Sequence, residues 1–209
     1  LTVLAEVGLF AAAAILMGRL GTDELAAHAV ALQCASLAFM VPLGLGIAAT
    51  VRVGVAYGRK DQEGIRKAGW MSFLLGTGFM AVSALTFILF GPLIVALFLD
   101  PALPQNRNAL AFAATYLAIA GLFQIVDGAQ VVAAHALRGL SDTKVPMVMA
   151  IFGYWLVGLP VAWLLGYVLD MRGVGIWLGL AAGLAFVAVL LVGRFALRER
   201  LGLLRNINA

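Results

Sequence analysis

Charged residues and cysteine are both scarce in this chain. Only 11% of its 209 residues are Asp, Glu, Lys or Arg, whereas a soluble domain carries about a quarter. Because 64% of the residues are hydrophobic, a water-soluble fold of this length would lack the polar residues needed to cover its surface. The single cysteine, Cys34, excludes a disulfide framework within the chain. The composition therefore predicts a membrane protein.

Motifs of established enzyme and metal chemistry are also missing. The sequence has no glycine-rich phosphate loop, nucleophile elbow or zinc-binding helix motif, and neither His28 nor His135 has clustered metal ligands beside it. An intramembrane aspartyl protease would need two deep aspartates, and only Asp127 lies deep in an apolar segment. We therefore expect no enzyme, no metal and no cofactor. The basic residues sit between apolar segments, which fits membrane topology better than nucleic-acid binding.

Six apolar stretches are the dominant feature that is present. A membrane-spanning helix needs about 20 mostly apolar residues, and the six predicted spans are residues 1–18, 28–51, 69–98, 109–136, 146–168 and 174–196. Their polar connections are short, so we expect one domain over residues 1–209. The first span starts without Met or a basic leader, and we expect it to be truncated. Transmembrane strands are excluded because several spans are apolar on every side.

Lysine and arginine are distributed unequally between the two ends of these spans. Eleven of the 14 lie at one end and three at the other, so the positive-inside rule places the first group, and with it both chain ends, in the cytoplasm. The expected location is the inner (plasma) membrane, crossed several times. The first group is Arg52, Arg59, Lys60, Arg66, Lys67, Arg138, Lys144, Arg194, Arg198, Arg200 and Arg205, and the second is Arg19, Arg107 and Arg172.

Two carboxylates, Glu6 and Asp127, lie well inside predicted spans. A charge in hydrocarbon is costly and commonly functional, although a hydrogen bond to a neighbouring helix is the structural alternative. Desolvation disfavours the charged form of a carboxyl group, so such a group can take up a proton on one side and release it on the other. Carboxylates can also coordinate Na⁺ together with other oxygens. We therefore predict a cation-coupling site at these two residues.

The fourth span carries further polar residues on the same face as Asp127. Gln124, Asp127 and Gln130 are three residues apart, which places them on one side of a helix. Tyr116 falls near the same face in angle, and Phe123 lies one turn before Asp127. We expect this stripe to face the bundle interior, toward the first helix, either in the cation site or as polar contacts between helices.

Two prolines interrupt apolar helices and are candidate hinges. Pro42 lies in the second span, followed by Gly44 and Gly46, and Pro160 lies in the fifth. Proline removes a backbone donor and bends a helix. The bends are either structural or the places where the bundle changes between inward-open and outward-open states.

Many short segments, taken in order, resemble the C-terminal half of the multidrug and toxic compound extrusion (MATE) family, NorM-like branch. Asp127-Gly128-Ala129-Gln130-Val131-Val132-Ala133-Ala134 is the most specific of them. The others are Glu6-Val7, Ala26-Ala27-His28, Val30-Ala31-Leu32, Pro42, Gly46, Arg52-Val53-Gly54, Tyr57-Gly58, Leu137-Arg138-Gly139, Asp142, Tyr154-Trp155, Gly158-Leu159-Pro160 and Gly175-Ile176-Trp177-Leu178-Gly179.

The resemblance implies an all-α membrane fold in which six helices form one lobe of a twelve-helix transporter. It further implies a secondary antiporter that exports cationic, amphipathic organic compounds in exchange for H⁺ or Na⁺, with Glu6 and Asp127 as the cation site. The partners would be organic cations, a monovalent cation, the lipid bilayer and an N-terminal lobe missing from this chain. Candidate lining residues of the cavity or cation site are Gln124, Phe123, Gln130, Tyr116 and Gln33.

Two departures and one alternative accompany this resemblance. Where some relatives carry Tyr one turn before the Asp, this chain has Phe123, which offers no oxygen and favours H⁺ over Na⁺. Ala29 stands where relatives carry Gln after the His of the second helix. The alternative function is a lipid-linked sugar flippase of the same superfamily. Such a protein tends to hold pyrophosphate with cavity-facing basic residues, and here only Arg52 lies near the spans.

Overall fold

The structure, a computed structural model, describes residues 2–204 apart from the side chain of Val3. Arg205, one of the basic residues counted for orientation, lies outside the described residues. Over the described range the chain is helical and contains no strand. The six helices are α1 Thr2–Leu20, α2 Thr22–Gly58, α3 Gln62–Val95, α4 Arg107–Gly139, α5 Lys144–Val168 and α6 Arg172–Ala196.

The prediction of six helices and an all-α membrane fold is confirmed. Within the described residues, the last five helices are each long and apolar enough to cross a membrane. Several helices extend well beyond the predicted spans: α2 has 37 residues and is about 55 Å long, whereas the hydrocarbon layer is about 30 Å thick. Apolar runs mark only the hydrocarbon layer, and the helices continue beyond it because polar side chains there are solvated.

The connections place the helix ends at two opposite surfaces. We call the surface that contains the α2–α3 turn, the α4–α5 turn and the end of α6 the basic end, because most Lys and Arg residues lie there. The α2–α3 turn passes through Lys60, whose φ is 59°. Asp61 then begins α3, and its carboxylate accepts a hydrogen bond of 2.8 Å from the backbone N–H of Gly64, which satisfies one of the free donors of that helix.

Helix α4 occupies the centre of the bundle and contacts α2, α3 and α6. Small residues permit these contacts: a Cβ at Gly139 would lie 2.8 Å from the carbonyl oxygen of Thr50 in α2. The Thr50 hydroxyl donates to the carbonyl of His135 in α4 at 2.9 Å. These contacts fix the register between α2 and α4.

Helices α5 and α6 approach each other along a stripe of glycines. Gly175, Gly179 and Gly183 are four residues apart and therefore lie on one face of α6. A Cβ at Gly183 would lie 2.6 Å from the Cα of Gly158 in α5, and one at Gly179 would overlap the backbone of Ala162. This spacing of small residues is a common means of close helix packing in membranes.

Helix α5 is not a regular α-helix. It begins as an α-helix over Lys144–Phe152 and continues as a π-helix over Gly153–Gly158. A short α-helical segment, Leu159–Trp163, and a second π-helical segment, Leu164–Val168, follow. Wider π turns are rare and often accompany functional sites. The candidate hinge residue Pro160 lies in the short α-helical segment between the two π segments.

Candidate functional site

The polar stripe of α4 faces the interior of the bundle, as its spacing predicted. Gln124, Asp127 and Gln130 are all buried, and Asp127 is only 6% exposed. The side-chain N–H of Gln124 donates to the Ser83 hydroxyl of α3 at 3.0 Å. The amide oxygen of Gln124 takes no part in this bond and has no hydrogen-bond partner among the described residues. Asp127 therefore lies in a polar interior rather than against lipid.

Helix α1 brings Glu6 to the same region. The Phe10 ring of α1 contacts the Phe123 ring of α4 edge-on, with 6.1 Å between the ring centroids. Glu6, one turn earlier, is half-buried and close enough to Asp127 for the two carboxyl groups to interact electrostatically. The two deep carboxylates of the sequence thus lie near each other, in a region that we call the carboxylate pocket.

Two hydrogen bonds hold α1 against α5 and set its register. The Trp155 indole N–H donates to the Ala5 carbonyl at 3.2 Å, and the Tyr167 hydroxyl donates to the Leu16 carbonyl at 2.6 Å. Because Trp155 is bonded next to Glu6, the neighbouring Tyr154 is brought to the carboxylate pocket.

Tyr154 is the site residue that sequence reasoning missed. Its side chain is fully buried, and its hydroxyl interacts electrostatically with both Glu6 and Asp127. The hydroxyl lies beside the side-chain amide of Gln130 without meeting the geometry of a hydrogen bond. The signal available in the sequence was a tyrosine in an otherwise apolar span, but its helix face could not be related to that of Asp127.

Several buried oxygens in this pocket have no hydrogen-bond partner among the described residues. They are Asp127 Oδ1, Gln124 Oε1, Gln130 Oε1 and the Tyr154 hydroxyl. Unpaired buried oxygens are costly unless something binds them, and oxygens are the ligands that a small hard cation prefers. The Tyr154 oxygen also weakens the argument from Phe123 for H⁺ over Na⁺, because it supplies near the carboxylates the hydroxyl that Phe123 lacks.

The two sides of this pocket differ. Toward the end opposite the basic end, an aromatic layer lies next to it: Phe123 contacts Trp177 at 5.5 Å between centroids, and Trp177 contacts His28 at 5.4 Å. Trp177 and His28 are fully buried or nearly so, and both ring nitrogens of His28 lack a partner within the described chain. This layer separates the carboxylates from that surface.

Toward the basic end, a cavity of about 160 Å³ reaches Gln130, next to the carboxylate pocket. Gln130 lies at its inner side, and Arg138, Asp142 and Lys144 lie at its outer side. The Asp142 carboxylate accepts a hydrogen bond from Arg194 Nε at 2.6 Å. Gln130 thus borders both this cavity and the carboxylate pocket.

The remaining candidate residues lie elsewhere. Tyr116 is buried but 11 residues before Asp127, about 16 Å along the helix, and its electrostatic neighbours are Glu24 and Arg172. Tyr116 thus shares the inward-facing side of α4 with Asp127 but lies at a different height along the helix, and its role as a lining residue stays a prediction. Gln33 is exposed on α2, and Pro42 is buried within that helix.

Six apolar helices around a buried cluster of acids and amides place the chain among multi-pass membrane proteins. The MatE family model matches residues 1–164, which is more than half of the chain. The chain therefore belongs to the MATE family, as the sequence pattern indicated.

The chain is similar to proteins named probable multidrug resistance protein NorM. It is 55% identical to that of Brucella suis over 195 residues, which cover 93% of this chain and 41% of the relative. It is 49% identical to that of Rhizobium meliloti over 208 residues, which cover 100% of this chain and 44% of the relative. The chain thus spans about two fifths of the length of these curated relatives.

Solved structures show the same fold. A MATE crystal structure in the bent conformation superposes with a TM-score of 0.88 at 16% identity, over 100% of this chain and 45% of that one. The MATE transporter ClbM in complex with Rb⁺ superposes with a TM-score of 0.87 at 20% identity, over 99% of this chain and 46% of that one. At these identities the similarity shows the fold alone.

Proposed function

We propose that this chain is one six-helix half of a twelve-helix secondary transporter that exports cationic, amphipathic organic compounds in exchange for a monovalent cation. The missing half is an N-terminal lobe, and the chain ends at the basic surface are cytoplasmic. The coverage of about two fifths of the NorM relatives supports the missing lobe. The concentration of Lys and Arg at one end supports the orientation.

The observation that carries this proposal is the shared pocket of Glu6 and Asp127. Two carboxyl groups in a buried site disfavour being charged together, so the pocket favours an arriving cation, either H⁺ or Na⁺. The unpaired oxygens of Gln130 and Tyr154 are further candidate ligands for Na⁺. A structural hydrogen bond alone would not require two acids.

The transport cycle follows from differential affinity. A cation can shift the transporter only if it binds one conformation more tightly than the other. In the conformation described here, the aromatic layer lies on one side of the pocket and the cavity at Gln130 on the other, which supports cation release toward the basic end. The pocket must open on the other side in the alternate state, and Pro42 and the irregular helix α5 are the proposed places of bending.

The substrate class rests on the relatives and on charge. The matched proteins are named multidrug resistance proteins, and we extend that activity to the full-length protein that contains this chain. In the flippase alternative, pyrophosphate would require cations at the cavity. Among the described residues, the pocket of Glu6 and Asp127 holds acids, amides and a phenol, which favours a cationic partner.

The test is drug efflux from vesicles containing the full-length protein, with a pH gradient or a Na⁺ gradient imposed one at a time. We expect Asp127→Asn to abolish efflux under whichever gradient drives the wild type, because the amide keeps the shape but loses the charge. Glu6→Gln should act likewise. Asp170→Asn is the matched control, since Asp170 is exposed in the α5–α6 turn. Undiminished efflux by Asp127→Asn under both gradients would refute the coupling role.

A further inference from the structure

A large cleft lies between α2 and α3 at the basic end, away from the carboxylate pocket. Its volume is about 1000 Å³. Four cationic side chains line its mouth, Arg52, Arg59, Arg66 and Lys67, together with one acid, Asp61. The cleft therefore combines a positive rim with the size of a ligand site.

Two of the four cations are available for an external anion. Lys67 and Arg66 lie 2.9 and 3.9 Å from the exposed carboxylate of Glu63. Arg52 and Arg59, in contrast, have no ion pair within the described residues, and both are exposed. The Asp61 carboxylate caps α3 by accepting from Gly64, and within the described residues it forms no ion pair with Arg52 or Arg59.

The walls of the cleft below this rim are apolar. Val51 and Val55 of α2 face Met71 and Leu74 of α3, and all four are exposed. From Arg66 to Leu75 the cleft follows α3 for nine residues, about 13 Å, which is almost half the thickness of the hydrocarbon layer. Trp70 lies between the charged and the apolar parts, the level at which tryptophan is enriched in membrane proteins.

We propose that this cleft binds an anionic phospholipid. Arg52 and Arg59 hold the headgroup phosphate, and an acyl chain lies along the apolar wall below Trp70. Basic residues beside a membrane helix attract anionic lipids, and a soluble phosphate would leave the apolar wall uncovered.

The experiment is native mass spectrometry of the detergent-solubilised full-length protein, titrated with phosphatidylglycerol or phosphatidylcholine. We expect the wild type to retain phosphatidylglycerol preferentially. Each removed cation should weaken binding about fivefold, so Arg52→Gln/Arg59→Gln should weaken it about 25-fold. Arg200→Gln, an exposed cation at the same end outside the cleft, should leave the affinity unchanged. Gel filtration checks that each variant is folded, and the single Arg59→Gln replaces the double variant if that does not fold.

Two results would overturn the proposal. Equal phosphatidylglycerol affinity of the double variant and Arg200→Gln would show that Arg52 and Arg59 do not hold the headgroup. Equal retention of phosphatidylglycerol and phosphatidylcholine by the wild type would show that the cleft does not select anionic lipid, as expected if another part of the protein covers it. Neither result depends on the cation-coupling site.

Discussion

Gly179 offers the sharpest test of how α5 and α6 pack. A Cβ at this position would overlap the backbone N and Cα of Ala162, and backbone atoms cannot move aside as the end of a side chain can. Overpacking of this kind costs about 1–3 kcal/mol, and the backbone contact puts Gly179→Ala at the upper end, about 3 kcal/mol. The full-length protein is about twice as long as this chain, so each kcal/mol should shift its melting temperature by about 1–2 °C, and the melting temperature should fall by about 3–6 °C.

The assay is thermal unfolding of the detergent-solubilised full-length protein, followed by tryptophan fluorescence. Gly193→Ala is the matched control on the same helix, because a Cβ there meets nothing within 4 Å among the described residues. The control should leave the melting temperature unchanged or raise it slightly, since alanine has the higher helix propensity. If Gly179→Ala and Gly193→Ala have the same melting temperature, the close contact between α5 and α6 is not as described.

Two further predictions concern single side chains. Tyr154→Phe should weaken Na⁺-driven efflux and leave H⁺-driven efflux nearly intact, because only Na⁺ needs the additional oxygen ligand. Tyr57→Phe is the control. An equal loss of efflux under both gradients would exclude Tyr154 as a Na⁺ ligand. Asp142→Asn should destabilise the protein by up to about 3 kcal/mol in a thermal melt, because Arg194 loses the carboxylate it contacts at 2.6 Å in a mostly buried pair. Glu63→Gln, in an exposed pair, should change stability by less than about 1 kcal/mol, and an equal effect of the two substitutions would contradict the buried pair.

Local periodicity was sufficient to identify the polar face of α4. Residues three apart share one side of a helix, so the burial of Gln124, Asp127 and Gln130 could be predicted from their spacing together with the cost of exposing polar groups to lipid. The same reasoning places Tyr116 near this face, and it is buried, but it lies about 16 Å from Asp127 along the helix. Spacing identifies a face but not the depth at which a partner meets it.

The partners from other helices depended on the tertiary structure. Tyr154 reaches the carboxylates because Trp155 is hydrogen-bonded to Ala5 of α1, a contact between residues 150 positions apart. Ser83 orients Gln124 across the α3–α4 contact. No local pattern encodes such pairs, since each depends on the relative register of two helices.

The sequence by itself determined that the chain lies in a lipid bilayer, how many helices it has and which acidic residues lie deep within them. These properties follow from how many apolar residues occur in succession and which charged residues interrupt them. Only the tertiary structure decided that Glu6 and Asp127 share a pocket with Tyr154, that an aromatic layer lies on one side and a cavity on the other, and that Arg52 and Arg59 line one cleft. The physical reason is that helix registers are set by close contacts such as Gly179 on Ala162 and Gly139 on Thr50. Those contacts join segments far apart in the chain.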